Sequence, residues 1–242
     1  MDPVASAASS TSIDLTQLVD LTRSLVDIDS TTGREREAGV WLAQYLRGRG
    51  FLVTEQPVDG ERFNVIATIG GDAPAVVLST HFDCVPPFFP SRMDGDRIVG
   101  RGACDAKGIL AAQIAAAEVL RREGETRVGL LFVVGEERGS DGARAANLAG
   151  RGCWFLVNGE PTDNRLGLAT RGMTRVKLRA AGRAAHSSFP ELGVSAIDKL
   201  LDALTALRAI ALPSDPVLGH THYTIGLIAG GVAPNVVSGR LG

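Results

Sequence analysis

Three short apolar runs, at 75–78, 128–134 and 153–157, constrain this chain more than any other feature. None alternates polar with apolar residues and each is too short for a typical helix, so they read as strands buried on both faces, the texture of a parallel sheet. Each is followed closely by imidazole or carboxylate side chains: His81 and Asp83 after the first, Glu136 and Glu137 after the second, Glu160 after the third. In an open α/β sheet the carboxyl ends of the strands line one crevice, so these groups are expected to converge there.

The intervening sequence supplies the helices that such strands need. Leu15, Leu18, Val19, Leu25 and Val26 recur at helical spacing over 14–27, with Asp14 as cap. A second helix over 32–48 opens on Thr32 and Glu35, which read as a capping box, and stops at Gly48 and Gly50. Strands follow at 51–58 and 63–69, separated by Asp59-Gly60 and from the next strand by Gly70-Gly71-Asp72. Helices are expected at 109–120 and 143–148, and Pro86-Pro87-Phe88-Phe89-Pro90 is restricted to a loop. This succession predicts an α/β domain with a mixed sheet and helices on both faces. Beyond Glu160 the texture changes to strands at 166–170, 173–181 and 221–228 around a helix at 194–211, a smaller α+β unit. The expected division is a flexible tail over 1–13, a domain over 14–171 and the second unit over 172–242.

Two side chains at i and i+2 on a strand share a face, as His81 and Asp83 do. Asp105 stands in GRGACDAKG (100–108), between glycines and directly ahead of a helix, where a carboxylate projects into a cleft. Taken singly, these residues have plain readings. His81 reads as a capped or surface histidine, Asp105 as a helix cap, Glu136-Glu137 as a solvated loop, and Glu160 before Pro161 as a turn. Taken together, several carboxylates at one end of a sheet repel one another, and a divalent cation reverses that cost.

The same residues carry a family resemblance. His81-Phe82-Asp83, GRGACDAKG, Gly135-Glu136-Glu137 and Asn158-Gly159-Glu160-Pro161-Thr162 stand in the order and spacing of the zinc-dependent superfamily of aminoacylase, acetylornithine deacetylase, succinyl-diaminopimelate desuccinylase and carboxypeptidase G. GRAAHSS (182–188) and GGVAPNVV (230–237) resemble its lid, or dimerisation, domain. The resemblance implies a zinc-peptidase-like fold with two divalent metal ions, usually zinc, with cobalt or manganese also suited to such N/O sites. It assigns Asp105 as the bridge between the metals, His81 and Glu160 as ligands of one, and Glu137 as ligand of the other. Asp83 would orient His81, Glu136 would act as general base, and His186 would reach the neighbouring subunit's site and help stabilise the oxyanion there.

Asn235 is implied as a substrate contact, and Arg171 is a further candidate beside its plain reading as a turn residue. His186 likewise has a plain reading as a polar loop residue, and His220 and His222 read as an exposed strand face. Glutamate at position 160 resembles the family's deacylases, so the implied substrate is an N-acyl amino acid or related N-acyl amine. Dipeptides and carboxypeptidase substrates are the alternative, and a homodimer through the lid is implied. The family's further histidine ligand follows the lid, whereas this sequence ends at Gly242 within it, so a fragment with one incomplete metal position is expected. A non-catalytic metal-binding module is the competing reading.

Other classes fit poorly. A net charge of −2 and a pI near 6.1 disfavour nucleic acid and anionic membranes as main partners. No GxGxxG or GxxxxGK[ST] follows a strand. Cys84, Cys104 and Cys153 form no CxxC pair and no disulfide framework; Cys84 and Cys104 read as core. With no signal-like start and no long apolar run, the cytoplasm is the expected location.

Overall fold

In the computed structural model, which describes residues 12–149 and 152–239, the three apolar runs lie side by side in one sheet. The chain divides into a unit ending at Asn164 and a unit beginning at Arg165. In chain order the first carries α1 (Leu15–Val26), α2 (Arg36–Gly48), β1 (Leu52–Asp59), β2 (Arg62–Thr68), β3 (Val76–His81), β4 (Arg92–Asp94), β5 (Arg97–Val99), α3 (Gly108–Arg122), β6 (Val128–Val133), α4 (Asp141–Leu148) and β7 (Phe155–Asn158). The main sheet has the order β1-β2-β6-β3-β7; β1–β2 and β2–β6 pair antiparallel, whereas β3 pairs parallel with both β6 and β7. β4 and β5 form a separate hairpin. The expected tail lies outside the described residues as far as residue 11.

One apolar cluster joins three helices to one face of the sheet. Leu21 and Leu25 of α1, Leu42 and Leu46 of α2, and Leu110 and Ile114 of α3 meet Val65, Ala67, Leu130 and Phe132. Burial of each such aliphatic or aromatic side chain contributes about 1.5–3 kcal/mol. Helix α4 covers the opposite face. Neighbouring residues of a strand point to opposite sides: the Phe63 ring packs against Gly39 of α2, while Asn64 Nδ2 donates to the Gly142 carbonyl of α4 at 2.8 Å. Helices therefore flank both faces, as the sequence predicts. Asp14 caps α1, accepting from the Thr16 and Gln17 N–H groups.

Two expectations about the elements of this unit are overturned. The Thr32–Glu35 capping box does not form: α2 starts without a side-chain cap, and the Thr32 hydroxyl instead donates to Asp83. Glu35 is fully buried, accepting from the Gly33 N–H at 2.7 Å and facing the Arg62 guanidinium at 2.9 Å. Long-range charged partners outcompete the local cap. Replacing Arg62 by Met would strand the Glu35 carboxylate, so Arg62→Met is expected to destabilise the fold by about 3–5 kcal/mol. Thermal unfolding should show this as a drop on the order of 10 °C. The run leading to β7, read as buried, is exposed at Trp154, Phe155, Leu156 and Val157; among the described residues β7 is the last strand of the sheet.

The second unit contains β8 (Ala185–His186), α5 (Ala196–Arg208), β9 (Ser214–Asp215), β10 (Gly219–His220) and β11 (Val236–Val237), with β8 paired to β11 and β9 to β10. Helix α5 opens on Ser195, whose hydroxyl accepts from the Asp198 N–H. The strands expected at 166–170, 173–181 and 221–228 do not form, and Leu166, Leu168, Met173, Val176 and Leu227 are exposed. An alternating pattern defines an apolar face, but a strand also needs a partner to complete its ladder. His220 lies in β10 and is exposed; His222 is exposed outside any strand. Among the described residues, no helix is long and apolar enough to cross a membrane.

Candidate metal centre

Because β3 lies between β6 and β7 and runs parallel to both, the loops leaving all three strands emerge on the same side. His81 ends β3, opposite Val133 of β6, with the Glu136-Glu137 loop on one flank and Glu160 on the other. The His81 side chain is 1% exposed. Its Nε2 lies 2.9 Å from Asp105 Oδ1 and 3.9 Å from Glu160 Oε2, and those two side chains are 52% and 37% exposed. One donor atom from each of the three residues falls within a 4.8 Å group. Ligands about 2.0–2.1 Å from a tetrahedral ion stand roughly 3.3 Å apart, so the two separations bracket what zinc requires. One imidazole and two carboxylates suit zinc, cobalt or manganese.

Asp83 organises the neighbourhood of His81. It is fully buried. Its Oδ1 accepts from the Glu136 N–H at 3.0 Å, and its Oδ2 accepts from the Thr32 hydroxyl at 2.8 Å and the Glu137 N–H at 3.2 Å. The Nδ1 of His81 faces the Asp83 backbone carbonyl at 3.0 Å and the carboxylate at 3.4 Å. The carbonyl is the better-placed acceptor, while the carboxylate supplies the charge. Burial works against ionised Asp83, but His81 and these donors hold its pKa below the usual value. Burial alone would lower the His81 pKa; the Asp83, Glu160 and Asp105 carboxylates reverse this and raise it to about 9. Glu137 and Glu160 are both raised, first by burial and then by neighbouring carboxylates that include Asp105.

Asp105 is presented by a tight turn, Ala103–Lys107, whose Asp105–Ala106 peptide is cis. The glycines of GRGACDAKG have separate reasons. Gly102 has φ +80°, a region that disfavours other residues, and a Cβ on Gly108 would stand 2.6 Å from the Ala103 carbonyl oxygen. Lys107 closes the turn from below. Its side chain is buried, its Nζ donates to the Leu25 and Ile28 carbonyls at 2.8 and 3.0 Å, and burial lowers its pKa to about 8. Cys84 is buried as expected, but Cys104 is exposed, because the turn directs it outward. Glu160 is placed by its preceding glycine, which donates to the Ser79 carbonyl and accepts from the Thr80 hydroxyl, both at 2.7 Å.

The remaining candidates lie in the second unit. The pairing of β8 with β11 sets His186 opposite Val236, and the Ser187 N–H donates to the Asn235 carbonyl at 3.0 Å. The Ser188 N–H donates to His186 Nδ1 at 3.1 Å, so neutral His186 carries its proton on Nε2. Arg171 donates from Nε to the Leu218 carbonyl at 2.7 Å. The fold thus groups His81, Asp105 and Glu160, ties Glu136 and Glu137 to Asp83, and sets His186 beside Asn235. Sequence reasoning assigns no role to Thr32 at the site, nor to Lys107. For Lys107 a signal exists, a lone cation between small residues directly before a buried helix; for Thr32 the capping pattern conceals it.

Comparison with known proteins gives the family. Residues 77–236 match the model of peptidase family M20/M25/M40. A probable carboxypeptidase of Aspergillus terreus is 41% identical over 262 aligned positions, covering 97% of this chain and 60% of that protein. A peptidase M20 domain-containing protein of Schizosaccharomyces pombe is also 41% identical, over 91% of this chain and 57% of its own length. The chain spans about 60% of the curated relatives it matches. The fold resembles that of a tripeptidase from Staphylococcus aureus, with a TM-score of 0.71 at 24% identity over 95% of this chain and 65% of that one. An M20 family metallo-carboxypeptidase from Sulfolobus solfataricus gives 0.60 at 21% identity over 79% and 49%. With the family model matching well over half of the sequence, on top of the shared fold, the chain belongs to peptidase family M20/M25/M40.

Proposed function

We propose that the protein is a metal-dependent peptidase of carboxypeptidase type, acting on short peptides. The convergence of His81 Nε2, Asp105 and Glu160 beside the Glu136-Glu137 loop carries this reading. His81, Asp105 and Glu160 would hold one divalent ion, and Asp105 and Glu137 a second. When bound, such ions supply Lewis acidity that polarises a carbonyl and makes water acidic at neutral pH.

The chain's own groups supply the rest. Asp83 fixes the ring orientation of His81 through Nδ1, leaving Nε2 for the ion. Glu136 accepts the proton from the attacking water and returns it to the leaving amine. Its backbone N–H is held by Asp83, so the loop is fixed while the side chain serves the reaction. His186, with its proton on Nε2, would be suited to donate to the developing oxyanion in the neighbouring subunit's site. Asn235 and Arg171 are the proposed substrate contacts on the same unit.

Peptides and N-acyl amino acids present the same kind of amide, and the names of the relatives favour peptides. Glutamate at 160 is the feature that favours the N-acyl amino acid reading. The test is kcat/KM of the zinc-loaded chain on an N-blocked dipeptide, the same compound as its C-terminal amide, and an N-acetyl amino acid. The blocked dipeptide should be cleaved and its amide spared. Hydrolysis of the N-acetyl amino acid alone would replace the peptidase by a deacylase. Zinc binding with no hydrolysis would favour a non-catalytic metal-binding module.

A further inference from the structure

The connector between α1 and α2 holds no candidate ligand, yet the His81 segment and the Asp105 turn are both fastened to it or to the end of α1 before it. The Cys84 N–H donates to the Ser30 carbonyl and the Thr32 N–H to the Cys84 carbonyl, each at 3.1 Å. The Ser30 hydroxyl donates to the Phe82 carbonyl at 2.6 Å. These bonds grip the backbone that follows His81. Lys107 reaches the carbonyls of Leu25 and Ile28 from beneath the Asp105 turn. A single stretch of chain, 25–32, therefore sets the His81 segment and the Asp105 turn relative to one another.

Within that stretch one side chain reaches the machinery directly. We propose that Thr32 is a positioning residue for the metal centre, setting the orientation of His81 through the Asp83 carboxylate. The inference rests on the metal-binding reading above. Asp83 Oδ2 has two donors, and the Thr32 hydroxyl at 2.8 Å is closer than the Glu137 N–H at 3.2 Å. Without it, Oδ2 keeps only the longer bond from the Glu137 N–H, and the carboxylate turns more easily about its last torsion. That turn alters Oδ1, which faces both His81 Nδ1 and the Glu136 N–H. One hydroxyl thus governs the ring of a ligand and the backbone of the proposed base and second ligand. The Thr32 backbone has its own bond to Cys84, so the hydroxyl can be removed with the chain path kept.

The experiment compares the 242-residue chain with Thr32→Val, which keeps the shape, and Thr32→Ser, which keeps the hydroxyl. Zinc affinity is measured by competition with a chromophoric chelator, the cobalt(II) visible spectrum is recorded, and the metal-free proteins are melted. Thr32→Val should bind zinc about 10- to 100-fold more weakly, with an altered cobalt spectrum, and Thr32→Ser should restore both. A lower melting temperature with unchanged zinc affinity and cobalt spectrum would reduce Thr32 to a structural role and overturn the inference. Equal losses in both variants would mean that keeping the hydroxyl does not preserve the site, and would overturn it too. A wild-type chain that takes up neither zinc nor cobalt would overturn the metal-binding reading itself, a result distinct from the other two.

Discussion

Glu136→Gln is expected to lower turnover about 100- to 10,000-fold, the range typical of a lost general base, while zinc content stays at the wild-type level. The two halves of this expectation have separate origins. The amide side chain is nearly isosteric with the carboxylate but cannot accept the proton of the attacking water. The position of residue 136 is fixed by its backbone N–H on Asp83 at 3.0 Å, which the substitution leaves intact. Turnover of the best peptide substrate and zinc per chain are the two readouts. Loss of zinc together with activity would make Glu136 a ligand, and retained turnover would place the base elsewhere.

Asp105→Ala should act on the other readout. Asp105 contacts His81 at 2.9 Å and is the proposed bridge, so its removal should weaken zinc binding by more than the roughly 10- to 100-fold typical of residues that only support a ligand. In the wild type, uptake should also depend on pH with a definite sign. The ion competes with the proton on His81, whose pKa is raised from 6.5 to about 9. Apparent affinity should therefore rise about tenfold per pH unit up to about pH 9 and level off above it, with one proton released per ion bound at His81. In the metal-free chain, the same raised pKa contributes stability that is fully present below pH 6.5 and is lost as pH rises through about 9. Calorimetry in buffers of different ionisation enthalpy measures the released proton. A flat profile between about pH 7 and 9 would show that His81 gives up no proton to the ion in this range.

Much of this architecture is written in local patterns. A buried parallel strand is a short apolar run, and chemistry at its carboxyl end follows from topology, so the places of His81 and Glu160 are legible in the sequence, and that of Asp105 in the glycine-flanked turn ahead of a helix. The hydrogen bond from Thr32 to Asp83 is not legible, because it joins residues 51 positions apart and competes with a plausible local cap. The strands expected after Arg165 show the converse case. Their alternation is genuine, but a ladder is a property of two segments, and Leu166, Leu168 and Leu227 remain exposed. The exposure of Cys104 escapes the sequence because a turn, unlike a strand or helix, has no period from which to read direction.

The placement of β3 between two neighbours, with β7 at the sheet margin, divides the site into tiers of different durability. A central strand releases its amides only when the whole domain opens, whereas a marginal strand with solvent-facing side chains opens locally at much lower free energy. His81 and Asp83 belong to the first tier and Glu160, just beyond β7, to the second. The imidazole and its carboxylate partner are therefore expected to be in place whenever the domain is folded, whereas the place of Glu160 depends on the sheet margin. In the proposed metal centre His81 would then be the standing anchor, and Glu160 the ligand whose place depends on the sheet margin.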